Sequence, residues 1–472
     1  MKIKKFIALI LTVSFIFSSN IFAASDETYD TLKMMVDIME IVDKYYVDET
    51  KPKDLVTGAI RGMVQTLDPY SQFMDEKAYK EMKTETQGSF GGVGLRITMQ
   101  DNILTVLTPI PDTPAYFAGI LPDDKIIKID DKSTEGMSSD EAVKLMRGNP
   151  GTKVKLTISR KGVKDELEFV IKRKTIKIES VKKQMLEDNI GYIQLYEFNA
   201  QSAADMAKML KELSKDKMKA LILDLRNNPG GLLDAAVNIC ELFIKQDSLV
   251  VSTRGRDKAN EQFYSTKNKP TYPDLPFIIL INRGSASASE IVSGTMQDYK
   301  RALIIGNNSF GKGSVQTIVP LTDGNALRLT IAKYYLPSGR NILKDKDNKK
   351  RGVTPDIFID VTPEIEGKLY IQSQTVKIKG KNDKKKEAEE KAEDKVEDEI
   401  LNTAIAVIKA GKVEEYIKNP SKYLKDNPKK EETSEDKDKN KDKENKTSQV
   451  KDTVKKVSDK KELKNGKTEK GK

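Results

Sequence analysis

The sequence predicts a multidomain α/β protein with a helical N-terminal arm and a charged C-terminal tail. Three observations carry that prediction. From Val181 to Leu336, short apolar runs alternate with amphipathic helical patterns, the rhythm of an α/β core with parallel strands. One run, Ala220-Leu221-Ile222-Leu223-Asp224-Leu225, is apolar on nearly every residue, as a strand covered on both faces must be. Beyond Gln374 the composition collapses into Lys, Glu and Asp. A chain of 472 residues holds two or three domains, and 38% hydrophobic residues suffice for their cores.

Residues 26–87 form the N-terminal helical region. Leu32, Met35, Val36, Met39 and Val42 recur at helical spacing, Leu55 to Leu67 repeat the pattern, and Asp68-Pro69-Tyr70-Ser71 breaks it. This arm packs on the body or pairs with a second copy as a homodimer. Residues 88–174 change texture. Gly88-Ser89-Phe90-Gly91-Gly92-Val93-Gly94 reads as a glycine-rich loop running into a strand at Leu95. Further strands are expected at 103–107, 125–129, 152–159 and 166–172, with helices at Thr113–Ile120 and Ser139–Met146. Residues 175–372 carry the α/β core and end in a β-hairpin turning at Asp323-Gly324, followed by a Lys/Asp-rich loop over 344–350. Residues 373–426 read as a charged extension in which a modest helix survives at Asp398–Ala410. Residues 427–472 have almost nothing to bury and are expected to be disordered.

The net charge of +10 resembles a nucleic-acid signal until it is located. Lys2, Lys4 and Lys5 hold +3, and residues 429–472 hold +5, leaving the folded part near neutral. No nucleic acid is expected as a partner; the basic tail suits contact with a membrane or an anionic cell-envelope polymer. The basic start, the apolar run Phe6–Phe17 and Ala23-Ala24 have a signal-peptide layout over residues 1–24, the alternative being a membrane anchor. Either places the body outside the cytoplasm, as an exported protein. The single Cys240 and the absence of histidine leave no disulfide within the chain and argue against zinc; no metal or cofactor is expected.

The stretch Ile281-Asn282-Arg283-Gly284-Ser285-Ala286-Ser287-Ala288-Ser289-Glu290-Ile291 suits nucleophilic chemistry. A buried strand enters it and a helix leaves it. A serine at that helix start sits among free backbone N–H groups at the positive end of the dipole. Without histidine, a Ser-His-Asp triad is excluded, and lysine is the usual substitute base. Lys312, in Ser309-Phe310-Gly311-Lys312-Gly313-Ser314, is the candidate. Composition alone leaves Ser285, Ser287 and Ser289 equivalent.

Two resemblances sharpen this reading. Gly92-Val93-Gly94-Leu95, Thr113-Pro114-Ala115-x-x-Ala118-Gly119, Asp124-x-Ile126-x-x-Ile129-Asp130 and Arg147-Gly148-Asn149-Pro150-Gly151 resemble a PDZ domain, β-rich with two helices. That resemblance implies that backbone N–H groups of Gly92, Val93, Gly94 and Leu95 hold a peptide's terminal carboxylate while the peptide adds as a strand. Leu67-Asp68-Pro69-Tyr70-Ser71, Leu223-Asp224-Leu225-Arg226-Asn227-Asn228-Pro229-Gly230-Gly231, Gly284–Glu290 and Phe310–Gln316 resemble the carboxyl-terminal processing, or tail-specific, proteases.

Membership of that family implies a serine endopeptidase with a crotonase/Clp-like α/β core, acting near the C-termini of proteins. It implies Ser287 as nucleophile, Lys312 as base and Gln316 as the group orienting Lys312. If Lys312 and Gln316 share a strand, a spacing of four puts both on one face, and an amide there adds no charge to hold the amine protonated. Ala288 N–H and a donor from Gly230 or Gly231 would form the oxyanion hole. Arg147, ending a PDZ helix, is a candidate for coupling that domain to the core. The alternatives are a catalytically inactive PDZ scaffold, and a crotonase-like acyl-CoA enzyme, which an exported location disfavours.

Overall fold

The computed structural model describes residues 26–100, 102–257, 260–343, 352–375 and 396–427. The leader at 1–24, the loop at 344–350 and the tail beyond 427 lie outside the described residues. The chain divides into two compact units: residues up to Glu76 with Gln316–Thr330, and Lys77–Val315 with Ile331 onward.

In the first unit, helices Asp26–Tyr45 and Pro52–Gln65 precede a strand, Gln72–Met74. Pro52 starts the second helix where a missing N–H costs nothing. The strand pairs antiparallel with Ala326–Arg328, a segment the sequence pattern did not link to the arm. Val64, Phe73, Met74 and Ala326 are buried, whereas Leu32, Val36 and Ile41 of the first helix remain exposed. The Asp68 carboxylate accepts the N–H groups of Tyr70 and Ser71 and the hydroxyls of Ser71 and Thr330. The break after the helices is thus an Asx-type turn tied to the hairpin.

The second unit includes the region that resembles a PDZ domain. Its antiparallel sheet runs in the order Leu95–Gln100, Ile103–Pro109, Lys125–Ile129, Lys153–Ser159, Leu167–Lys172. Val106, Ile126, Ile129, Leu156 and Ile158 pack with Ala142 and Met146 of the helix Ser139–Met146. Ser138 and Glu141 close a reciprocal capping box at that helix's start.

The stretch expected as a glycine-rich loop is in part a strand: Ser89–Gly92 pairs antiparallel with Lys174–Lys177. Its glycines serve close approach rather than looping, because a Cβ on Gly91 would stand 2.1 Å from the Gly148 carbonyl oxygen.

The α/β core is a six-stranded sheet ordered Val181–Met185, Ile190–Leu195, Ala220–Asp224, Phe277–Ile281, Leu303–Gly306, Ile357–Phe358. The first pair is antiparallel and the others parallel. Alternate residues of each strand face opposite sides. Leu221, Leu223, Phe277 and Ile279 meet the helices Ser202–Lys215, Leu233–Glu241 and Ala288–Asp298. Ile222, Ile278, Leu280, Leu303 and Ile305 meet Ile400, Ala404 and Val407 of the helix Glu399–Lys409, with Tyr416 and Tyr423 beyond.

The surviving helix of the charged extension is therefore half of the sheet's cover. Its apolar stripe was legible; that it closes a sheet begun more than 200 residues earlier was not.

Candidate active site

The strand Phe277–Ile281 delivers the chain to a turn, and the helix Ala288–Asp298 leaves it. Ser287 is the last residue before the helix, at φ 55° and ψ −111°. A non-glycine residue held there stores about 1–3 kcal/mol of strain, which the surrounding contacts must offset.

Those contacts separate the three serines. The Ser285 hydroxyl accepts from the Asn282 N–H at 3.0 Å and donates to the Leu225 carbonyl at 2.8 Å. Ser289 donates to the Asn228 carbonyl at 2.9 Å. Both are fully buried in backbone-bracing roles. Ser287 is 6% exposed, and among the described residues its side chain makes no such bond to a backbone carbonyl.

Glu290 is the hub of the turn. From the third position of the helix its carboxylate reaches back to the Ser287 N–H at 2.8 Å. The same oxygen accepts the Lys312 N–H at 2.9 Å, and the other accepts the Gly311 N–H at 2.7 Å and the Ser309 hydroxyl at 2.5 Å. Glu290 is wholly inaccessible to solvent. Burial raises its pKa, opposed by these four donors, of which Ser309 is the strongest. The sequence reading took Glu290 only as part of a motif; its place three residues after a helix-capping serine was the available signal.

The turn Asn228-Pro229-Gly230-Gly231 lies against the serine turn. The Asn228 carbonyl accepts the Ala286 N–H at 3.0 Å. Gly230 has φ +100°, and a Cβ on it would stand 2.8 Å from Ser287 Cβ and 2.9 Å from Ala288 N. Only glycine permits that approach. The Gly230 N–H is engaged by Asn228 Oδ1 at 2.9 Å. No such bond is made by the Gly231 N–H among the described residues.

Lys312 is half-buried and precedes the strand, which begins at Ser314. The strand that carries Gln316, Ser314–Pro320, starts two residues after Lys312, so the condition that the two share one strand is not met. Gln316 belongs to the first unit, where its Nε2 donates to Thr330 Oγ1 at 3.4 Å.

In the region that resembles a PDZ domain, Gly92 ends a paired strand, Val93 is buried, and Leu95 opens the edge strand of the sheet. The Gly94 carbonyl accepts the Ile110 N–H, fixing the bend between them. Arg147 caps the helix Ser139–Met146, with its guanidinium 4.4 Å above the Phe90 ring.

Sequence reasoning missed an ion-pair cluster at the end of the strand Ala220–Asp224. Arg226 bridges Asp224, at 2.6 Å, and Asp398, at 2.7 Å, and Tyr192 donates to Asp224. Asp398 also caps the helix Glu399–Lys409. One arginine thus ties the turn before Gly230 to the C-terminal cover.

The profile of peptidase family S41 matches residues 189–359, a PDZ profile matches 105–160, and the profile of the N-terminal domain of the activating protease CtpB matches 18–78. A carboxy-terminal-processing protease of Bartonella bacilliformis is 45% identical over 337 residues, 71% of this chain and 76% of that protein.

This chain belongs to the carboxy-terminal processing protease family.

The carboxy-terminal processing protease CtpA of Bacillus subtilis is 36% identical over 71% of this chain and 70% of its own length. Among solved structures, a photosystem II D1 C-terminal processing protease is 30% identical, with a TM-score of 0.40, over 70% of this chain and 92% of that one. As a member of the processing protease family, the chain is a serine-type peptidase with a PDZ domain.

Proposed function

We propose that this processing protease is an exported endopeptidase that cuts proteins near their C-termini through a Ser287–Lys312 dyad. The observation that carries the reading is the shared Glu290 oxygen: it holds the N–H groups of Ser287 and Lys312 from two distant segments. Ser287 Oγ attacks the scissile carbonyl while its proton passes to neutral Lys312 Nζ, which returns it to the departing amine. Water then repeats the sequence on the acyl-enzyme. Gln316 orients the Lys312 amine without adding charge. The oxyanion sits between Ala288 N–H and Gly231 N–H, since the Gly230 N–H is engaged by Asn228.

The substrate's C-terminus adds as a strand beside Leu95–Gln100, with the Gly92–Leu95 backbone on its carboxylate. The edge position of that strand supports this placement. Arg147, stacked on Phe90, couples that domain to the core, and an Arg147→Ala variant with unchanged kinetics on tail peptides removes the idea. The leader's charge and apolar run support export, the exposed Leu32, Val36 and Ile41 support a homodimer through the arm, and the basic tail supports contact with an anionic envelope polymer.

The test incubates wild type, Ser287→Ala and Lys312→Ala with exported proteins and maps the new C-termini by mass spectrometry. Both variants should bind tail peptides and leave substrates intact; full cleavage by Ser287→Ala sinks the assignment.

A further inference from the structure

Ser309 lies between the strand Leu303–Gly306 and Lys312, and it is wholly inaccessible to solvent. Its N–H donates to the Val353 carbonyl at 3.1 Å, and its Oγ accepts the Val353 N–H at 2.6 Å. A serine hydroxyl has one proton and two lone pairs. With Val353 on a lone pair, the proton remains for Glu290 Oε1, 2.5 Å away. Gly352, at φ +59°, brings backbone directly onto this contact. A Cβ there would stand 2.0 Å from Ser309 Oγ and 2.5 Å from Glu290 Oε1.

Glu290 divides its two oxygens between two tasks. Oε1 takes the Ser309 hydroxyl and the Gly311 N–H, while Oε2 takes the N–H groups of Ser287 and Lys312. A carboxylate shut away from water stays ionised only while its donors hold it. Three of these four donors are backbone; Ser309 alone gives its bond through a side chain. Burial raises the Glu290 carboxyl, and the Ser309 hydrogen bond is the strongest influence opposing that rise.

We propose that Ser309 is a positioning residue for the Ser287–Lys312 dyad: its hydroxyl fixes one Glu290 oxygen so that the other holds both dyad N–H groups in place. This rests on the dyad reading itself. Ser309 acts through Glu290 and exchanges no proton with the substrate. Without its hydroxyl, the Glu290 carboxyl rotates or takes up a proton. A protonated oxygen facing a backbone N–H is a donor where an acceptor is needed. Either change loosens the Ser287 and Lys312 segments together, because one oxygen holds both. A misplacement of about 1 Å at a reacting group costs about 100-fold in rate, so the effect falls on the chemical step.

The experiment compares full-chain wild type, Ser309→Ala and Ser309→Thr in three assays: hydrolysis of a tail peptide, binding of that peptide, and labelling by a fluorophosphonate, which reacts with the nucleophilic serine. Ser309→Ala should lower kcat by about 10–100-fold, the worth of one charged hydrogen bond, and slow labelling by a similar factor. KM and peptide affinity stay unchanged. Ser309→Thr keeps the hydroxyl and should recover most of the lost rate. A serine that only fills space would give Ser309→Ala a lower melting temperature with wild-type kcat below it, and that result overturns the proposal. So does a loss confined to KM, or a folded Ser309→Thr variant as slow as Ser309→Ala. A crystal structure of the wild type reads the contact independently of any variant: Ser309 Oγ farther than about 3.5 Å from both Glu290 oxygens also overturns it. An active, labelled Ser287→Ala variant removes the dyad reading itself. An inactive Ser287→Ala variant beside an unaffected Ser309→Ala variant removes only the role of Ser309.

Discussion

Glu290 accepts the backbone N–H of Lys312 at 2.9 Å across 22 residues of chain. The contact joins the helix that follows the serine turn to the glycine-flanked segment that carries the lysine. Because the carboxylate also holds Ser287, Gly311 and Ser309, every one of its partners is a donor.

Replacing Glu290 with Gln puts an amide NH2 where only acceptors fit. Glu290→Gln should therefore lose about 1–3 kcal/mol of stability, the cost of stranding buried donors. It should also lose at least 100-fold in kcat, with tail-peptide affinity unchanged. A thermal melt and a peptide-binding titration beside the activity assay check all three; a Gln variant with wild-type kcat refutes the hub role.

The two glycines of the Asn-Pro-Gly-Gly turn should fail differently. At Gly230 a methyl meets the Ala286 carbonyl oxygen at 2.7 Å and Ser287 Cβ at 2.8 Å, so Gly230→Ala should fold and lose about 100–1,000-fold in rate. At Gly231 it meets the Phe198 carbonyl oxygen at 2.1 Å, backbone that bridges the turn to the sheet, so Gly231→Ala should lower the melting temperature as well. Equal melting temperatures for the two variants would contradict this division.

The C-terminal cover should be acid-sensitive. Burial alone would raise the Asp398 carboxyl, but the Arg226 charge, the hydrogen bonds from Arg226 and the backbone N–H groups of Leu401 and Ile400 bring it below its ordinary 3.8. A depressed carboxylate contributes stability that is present above the unfolded pKa and is lost as pH falls through the folded one. Wild type should therefore lose stability below about pH 4. Asp398→Ala should be less stable at neutral pH by about 2 kcal/mol, a lost helix cap with part of a buried pair, and should show a shallower acid limb. Denaturant titrations at pH 7 and pH 3.5 decide it: parallel limbs would remove the Arg226–Asp398 link.

Ile400 is 2% exposed against the sheet face formed by Ile222, Ile278 and Leu280. Ile400→Ala should cost about 2–5 kcal/mol, as a large-to-small change in a packed core does. A surface helix would lose almost nothing, so the measured free energy of unfolding discriminates directly.

Local pattern was enough for much of this protein. Strands at Ile190–Leu195 and Phe277–Ile281, the helix Ser139–Met146, the PDZ texture and the family motifs all lie within short windows of sequence. The absence of histidine settled without coordinates that a Ser-His-Asp triad is impossible.

Long-range pairing decided the rest. Three alternating serines are equivalent in spacing, and they differ because Leu225 and Asn228 accept from the Ser285 and Ser289 hydroxyls, whereas Ser287 is held through its backbone N–H by Glu290. Lys312 and Gln316 have a spacing that suits one strand, yet the strand that holds Gln316 starts only at Ser314. A helix in a charged extension became half of the core because its apolar stripe matched a sheet face that no local window contains. Periodicity reports which residues need burial; only the tertiary structure chooses which surfaces, donors and acceptors provide it.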